Sequence, residues 1–352
     1  MRYPAFIRDG AAIGFPAPSF GCSIEPYRSA FDHAQEVLTQ KGYRTVCGPN
    51  AYAGDGIGIS SSPENCGREV TEMFLSRDID AVISCGGGEL MCEILKYVDF
   101  PAIAKAAPKW FMGYSDNTNL TFLLTTLCDT AAVYGPCAPA FGMQPWHEAI
   151  EDAYRLLRGE KLENRGYSRY ETESRKDEGH PLEPYACTEP REIVTCVPEG
   201  GIFPKGRGEP VSFSGRLIGG CLDILVTLCG TRYDRVAAFT EKYRDNGFVW
   251  FLEACDLSPF AIRRAVWQLK NAGWFGHVKG FLIGRPLAGR QSMMGLDHIR
   301  AVTDQLAEYQ VPILLDVDIG HLPPMMPLIS GSMAEVRYDP AADDFRLKMK
   351  LE

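Results

Sequence analysis

Along the first 135 residues, short apolar runs alternate with segments whose apolar positions recur every three to four residues. Residues 11–15 form one such run and end in Pro16-Ala17-Pro18-Ser19. The spacing of Phe31, Ala34, Val37 and Leu38 then predicts a helix over 25–41. A second run, residues 80–85, stops at Gly86-Gly87-Gly88, and a helical pattern resumes over 90–98. Trp110–Gly113 is a third strand, followed by Tyr114-Ser115-Asp116 and a helix predicted from 117 to 127. Repeated strand–turn–helix units with glycine at the strand exits imply a mostly parallel sheet with helices on its faces. Ligands of such sheets gather outside the carboxyl ends of the strands, where both the glycine turn and Ser115 lie.

The second half repeats the alternation. A helix is expected at 221–228, a strand at 248–252, a helix at 259–272, a strand at 279–284, a helix at 297–308 and a buried strand at 311–315. The tail, 332–350, reads as β-structure. Between the halves, residues 160–192 are polar, mixed in charge and poor in aliphatics. The expected fold is therefore α/β: an N-terminal domain over 1–160, a connection over 161–192, and a smaller C-terminal α/β domain over 193–352. The connection is either an interdomain linker or a lid over a cleft.

With 36 basic and 45 acidic residues, the net charge of −9 and the lack of basic blocks argue against nucleic-acid partners and anionic membranes. No apolar window is long enough to cross a bilayer, and Arg8-Asp9 interrupt any signal-peptide core. Twelve cysteines are scattered without a C-x-x-C pair, which fits buried thiols in a reducing cytoplasm. No metal site and no cofactor are expected.

Ser115 sits between a buried strand and a helix start, where a tight turn pushes the hydroxyl outward and the next N–H toward an oxyanion. The alternative is a helix N-cap at Ser115 or Asp116. A serine nucleophile needs a base and an orienter for that base. Of the six histidines, His298 and His147 read as surface residues at helix starts. His321 is held between Gly320 and Leu322-Pro323-Pro324 after the last buried strand. Glu253 ends five apolar residues, Phe248-Val249-Trp250-Phe251-Leu252, a costly place for an unpaired carboxylate unless histidine relieves it; a helix cap is the alternative.

Taken together, Gly113-Tyr114-Ser115-Asp116, Phe251-Leu252-Glu253 and Gly320-His321 resemble the LD-carboxypeptidase family of serine peptidases, which includes the microcin C immunity proteins. Gly215-Arg216-Leu217-Ile218-Gly219-Gly220, Ile262-Arg263-Arg264 and Tyr134-Gly135-Pro136 are similar too. The resemblance implies a triad of Ser115 as nucleophile, Glu253 as orienter and His321 as general base. It implies an oxyanion hole from the Asp116 N–H and the glycine turn, at Gly87 or Gly88, and a homodimer. Glu89-Leu90-Met91 depart from the Asn and Ser usual in the immunity subgroup.

The expected activity is hydrolysis of an amide beside a carboxylate or acidic group, in a murein peptide or an aminoacyl-nucleotide. Tyr167, Arg169 and Tyr170 in the connection are candidates for stacking a base and meeting an anion. Two other readings stand beside this one: an amidase built on Cys85, and a non-catalytic binding protein on the same fold.

Overall fold

The computed structural model describes residues 1–198 and 201–352. The chain opens with β1 (Ala12–Phe15), α1 (Tyr27–Gln40), β2 (Arg44–Cys47), α2 (Pro63–Leu75) and β3 (Ala81–Ile83). It continues through α3 (Phe100–Lys105), β4 (Trp110–Gly113), α4 (Thr118–Thr126), β5 (Ala132–Tyr134) and α5 (Glu148–Leu157). Four short strands follow: β6 (Glu163–Asn164), β7 (Arg169–Tyr170), β8 (Glu189–Pro190) and β9 (Val194–Cys196). Next come β10 (Ile202–Phe203), β11 (Val211–Cys221), α6 (Leu222–Leu228), α7 (Val236–Lys242), β12 (Phe248–Glu253) and α8 (Pro259–Asn271). The chain ends with β13 (Val278–Gly284), α9 (His298–Leu306), β14 (Ile313–Val317), β15 (Leu328–Ser330), β16 (Met333–Asp339) and β17 (Asp344–Lys350).

The chain divides into two compact units. The N-terminal unit holds residues 1–161, 173–186 and 327–329; the C-terminal unit holds 162–172, 187–326 and 330–352. The polar connection is thus shared: 162–172 pack with the C-terminal unit and 173–186 with the N-terminal one.

In the N-terminal unit the strand order is β15-β5-β4-β3-β1-β2. β1 through β5 pair in parallel. Chain order reverses between β1 and β3, so the loops leaving these two strands diverge and open the crevice where such sheets take ligands. Apart from the edge strand β2, the strands are buried on both sides, and Trp110, Phe111 and Met112 are fully covered. α2, hidden from the sequence pattern by Cys66 and Gly67, is started by Ser62, whose hydroxyl accepts the Asn65 N–H, with Pro63 in the first turn. The segment expected as a helix over 90–98 is a 3-10 helix at Met91–Tyr97. It lies close against α2, since a Cβ on Gly67 would sit 2.6 Å from that of Tyr97.

The C-terminal unit is built on a nine-stranded sheet, β10-β9-β14-β13-β12-β11-β16-β17-β6. Its middle, β11 to β14, is parallel, and the flanking strands are antiparallel. β11 runs eleven residues through Gly215, Gly219 and Gly220, a composition that reads locally as a loop. The glycines are there because β12 approaches too closely for side chains: a Cβ on Gly219, which has φ +153°, would overlap the Phe251 carbonyl oxygen. A Cβ on Gly215 would lie 2.9 Å from the Phe248 nitrogen. Gly219→Ala is therefore expected to lower stability by about 3 kcal/mol through overpacking, read as a lower urea midpoint with unchanged slope.

Candidate active site

In the N-terminal unit, β4 ends at Gly113 and the chain turns sharply into α4 through a 3-10 turn at Ser115–Asn117. Ser115 has φ +62°, the left-handed region, at a cost that non-glycine residues bear mainly at functional turns. Gly113 makes the turn possible, because a Cβ there would lie 2.8 Å from Asn117 Cγ. The Asn117 amide donates to the Gly86 carbonyl at 2.7 Å and to the Tyr114 carbonyl at 3.1 Å. It thereby ties the Ser115 turn to the glycine turn leaving β3. The Asn117 amide is a fastening that no local pattern in the sequence signals.

The glycine turn lies against Ser115. A Cβ on Gly87 would sit 3.0 Å from Ser115 Cβ and 3.1 Å from its Oγ. A Cβ on Gly88 would overlap the Ser19 hydroxyl oxygen. Only glycine lets the backbone come this close. Asp116 is buried, and burial raises its carboxyl to about 6 against the hydrogen bonds it accepts.

In the C-terminal unit, Glu253 closes β12 with its carboxylate fully buried, and His321 lies in the loop after β14. His321 Nδ1 and Glu253 Oε2 are 2.9 Å apart. Burial lowers the imidazole pKa, but the Glu253 charge and hydrogen bonds with Cys255 and Glu253 outweigh it and hold it well above the usual range. Glycines make the room: a Cβ on Gly320 would lie 2.5 Å from Glu253 Oε2, and one on Gly284 2.9 Å from Glu253 Cβ. The Cys221 thiol, next to Glu253 in register, shares the site. Cys221, Glu253 and His321 offer ligand atoms within 4.8 Å of one another, the one metal-capable grouping among the described residues. Glu253 and His321 already engage each other, as a carboxylate and the imidazole it orients do.

His298, read from sequence as a surface residue, forms a second imidazole–carboxylate pair. Its Nε2 lies 3.0 Å from Asp316 Oδ1, and Asp316 has φ +59° at a register shift between β13 and β14. Arg263 pairs with Asp304 of α9. In the connection, Tyr167 and Tyr170 are buried within the C-terminal unit. The Tyr167 N–H donates to Asp318, and the guanidinium of Arg285 covers the Tyr170 ring at 4.4 Å. Arg169 donates through Nε to the Cys187 carbonyl at 3.1 Å. Cys85 is buried between β1 and β4, and desolvation raises its thiol well above the ordinary range, so it supplies no thiolate.

Residues 13–135 match the N-terminal domain of LD-carboxypeptidases and 214–336 match their C-terminal domain. The chain belongs to the LD-carboxypeptidase family. It is a serine peptidase. It is 25% identical over 335 residues to the microcin C7 self-immunity protein MccF of Escherichia coli, covering 94% of this chain and 91% of that protein. It is 24% identical over 339 residues to a probable murein peptide carboxypeptidase of Bacillus subtilis, covering 94% and 90%. Among solved structures, MccF in complex with glutamyl sulfamoyl guanosine superposes with a TM-score of 0.79 at 22% identity, over 99% of this chain and 98% of that one. Muramoyltetrapeptide carboxypeptidase from Oxalobacter formigenes gives 0.70 at 19% identity, over 97% and 99%. No helix among the described residues is long and apolar enough to cross a membrane.

The Glu253 charge is the main force raising the His321 pKa. Glu253→Gln should therefore bring its ring titration down, checked by following the His321 ring protons by NMR across pH; an unchanged midpoint contradicts the electrostatic account.

Proposed function

We propose that this peptidase hydrolyses the amide next to a carboxylate or acidic group, in a murein peptide or an aminoacyl-nucleotide, through Ser115, Glu253 and His321. The observation that carries the reading is the left-handed Ser115 turn with the Gly87 backbone against its hydroxyl. A half-buried hydroxyl on such a turn, beside backbone N–H groups and with a glycine wall, is an arrangement suited to acyl transfer.

In the proposed mechanism, neutral His321 takes the Ser115 proton as Oγ attacks the amide carbonyl. The Asp116 N–H and an N–H of the glycine turn, at Gly87 or Gly88, hold the oxyanion. The imidazolium, stabilised by Glu253, passes its proton to the leaving amine as the C–N bond breaks. Water, deprotonated by His321, then attacks the acyl-enzyme, and the acid and Ser115 are released. The proposal includes a cytoplasmic homodimer. Twelve thiols support a reducing compartment, and the dimer rests on the family resemblance, with light scattering as its check.

Ser115→Ala should reduce kcat by about 10⁴ or more, and Cys85→Ala should leave it intact. A panel of murein L,D-tetrapeptide and aminoacyl sulfamoyl nucleotides on one preparation decides the substrate class, and activity on neither overturns the reading. A substrate role for Tyr167, Arg169 and Tyr170 requires residues 162–172 to shift, because both rings are buried. Tyr167→Ala raising KM for nucleotides more than for murein peptides would support it.

The pH profile offers a separate check. A raised imidazole pKa keeps His321 protonated above the ordinary value of about 6.5, so kcat/KM should rise with pH through a midpoint higher than that. An acid limb at or below about 6.5 contradicts His321 as the base.

A further inference from the structure

The Asp116 carboxylate takes no part in the steps above, yet it is 1% exposed and fully engaged. Its Oδ2 accepts the Ser19 hydroxyl at 2.5 Å and the Met91 N–H at 3.0 Å. Its Oδ1 accepts the Asn119 side-chain amide at 3.0 Å. These donors come from three separate segments. Ser19 is in the loop leaving β1, Met91 follows the glycine turn leaving β3, and Asn119 lies in α4 just after the nucleophile turn. The neighbour of Ser19 completes the link, since the Phe20 N–H donates to the Gly87 carbonyl at 2.9 Å. One carboxylate thus holds both sides of the crevice at the strand ends in register with Ser115.

We propose that the Asp116 side chain is a positioning residue of the oxyanion hole, its ionised form locking the β1 exit, the glycine turn and the nucleophile turn together. The inference rests on the reading of Ser115 as the nucleophile. An ionised carboxylate offers acceptors to all three donors, and its hydrogen bonds are roughly twice as strong as neutral ones. A protonated one carries a hydrogen that the Met91 N–H cannot accept, and that the Ser19 hydroxyl or the Asn119 amide accepts only by turning away from the donation it makes to the ionised form.

Burial raises this carboxyl to about 6, opposed by the Ser19, Met91 and Asn119 hydrogen bonds and reinforced by the Glu89 charge. The Cys92 thiol is the other titratable group facing it, while the β1 exit and α4 bring the uncharged Ser19 and Asn119. A carboxyl raised above its ordinary value adds most to stability below that value, and the gain disappears as pH rises through about 6. At neutral pH the ionised Asp116 therefore lowers stability while it holds the turns in place.

The test is Asp116→Asn in the intact protein, assayed with whichever substrate of the panel turns over fastest. The variant should fold: the buried Asn119 Oδ1 has no partner, so that amide can rotate to accept from the new amide. The expected result is a kcat ten- to a hundredfold lower, below the 10²–10³ of losing an oxyanion donor outright, with KM nearly unchanged. In the wild type, log kcat/KM should fall with slope 1 as His321 protonates and steepen toward 2 below about pH 6. Asp116→Asn should keep slope 1. Ser19→Ala removes a hydrogen bond that lowers the Asp116 pKa, so it should move the steepening to higher pH. Wild-type kcat in Asp116→Asn, or a steepening that survives in it, overturns the positioning role while an inactive Ser115→Ala leaves the nucleophile standing. Activity in Ser115→Ala overturns both.

Discussion

A carboxylate buried at the end of an apolar strand has to be neutralised where it stands, and much of the C-terminal unit is arranged to do so. β12 delivers Glu253 into a region with no water to solvate it. The answer is an imidazole at 2.9 Å, presented by a loop that reaches the site because Gly284 and Gly320 lack side chains. The close passage of β11 along β12, through Gly219, sets where that strand lies. The same charge that burial penalises keeps His321 basic, so one electrostatic constraint both orders the loop and raises the affinity of its imidazole for a proton.

The serine side solves a different problem, that of holding backbone donors rigidly around a strained turn. It does so with uncharged amides and glycines packed at contact distance, and with one buried acid behind them. Enzymes that stabilise an oxyanion gain from donors that need not rearrange as charge develops. In the mechanism proposed above, the fastening of three strand-end loops by Asn117 and Asp116 meets that demand.

The strand–turn–helix alternation, the strand at Trp110–Gly113 and the three family segments were legible because period-2 and period-3.6 patterns and strand-end polar residues are local signals. β11 was not, since its glycines answer to a neighbouring strand 32 residues away in the chain and look like a loop on their own. α2 was masked by a glycine that serves packing against Tyr97. Ser115 could be singled out as nucleophile or cap, but its left-handed backbone could not. The bonds of Asn117 and His298 were hidden for the same reason: their partners, Gly86 and Asp316, are brought to them only by the fold.

One strand has a consequence for how the protein is made. β15 lies beside β5 on the N-terminal sheet, yet it is encoded after nearly the whole C-terminal unit. Roughly 190 residues separate the two, which at about 5–20 residues per second is on the order of 10–40 s of synthesis. During that interval the nascent N-terminal unit presents the bare hydrogen-bonding edge of β5, a template for pairing with any other extended chain. Completion of the first half of the molecule thus waits on the last tenth of its translation, when Leu328–Ser330 arrives.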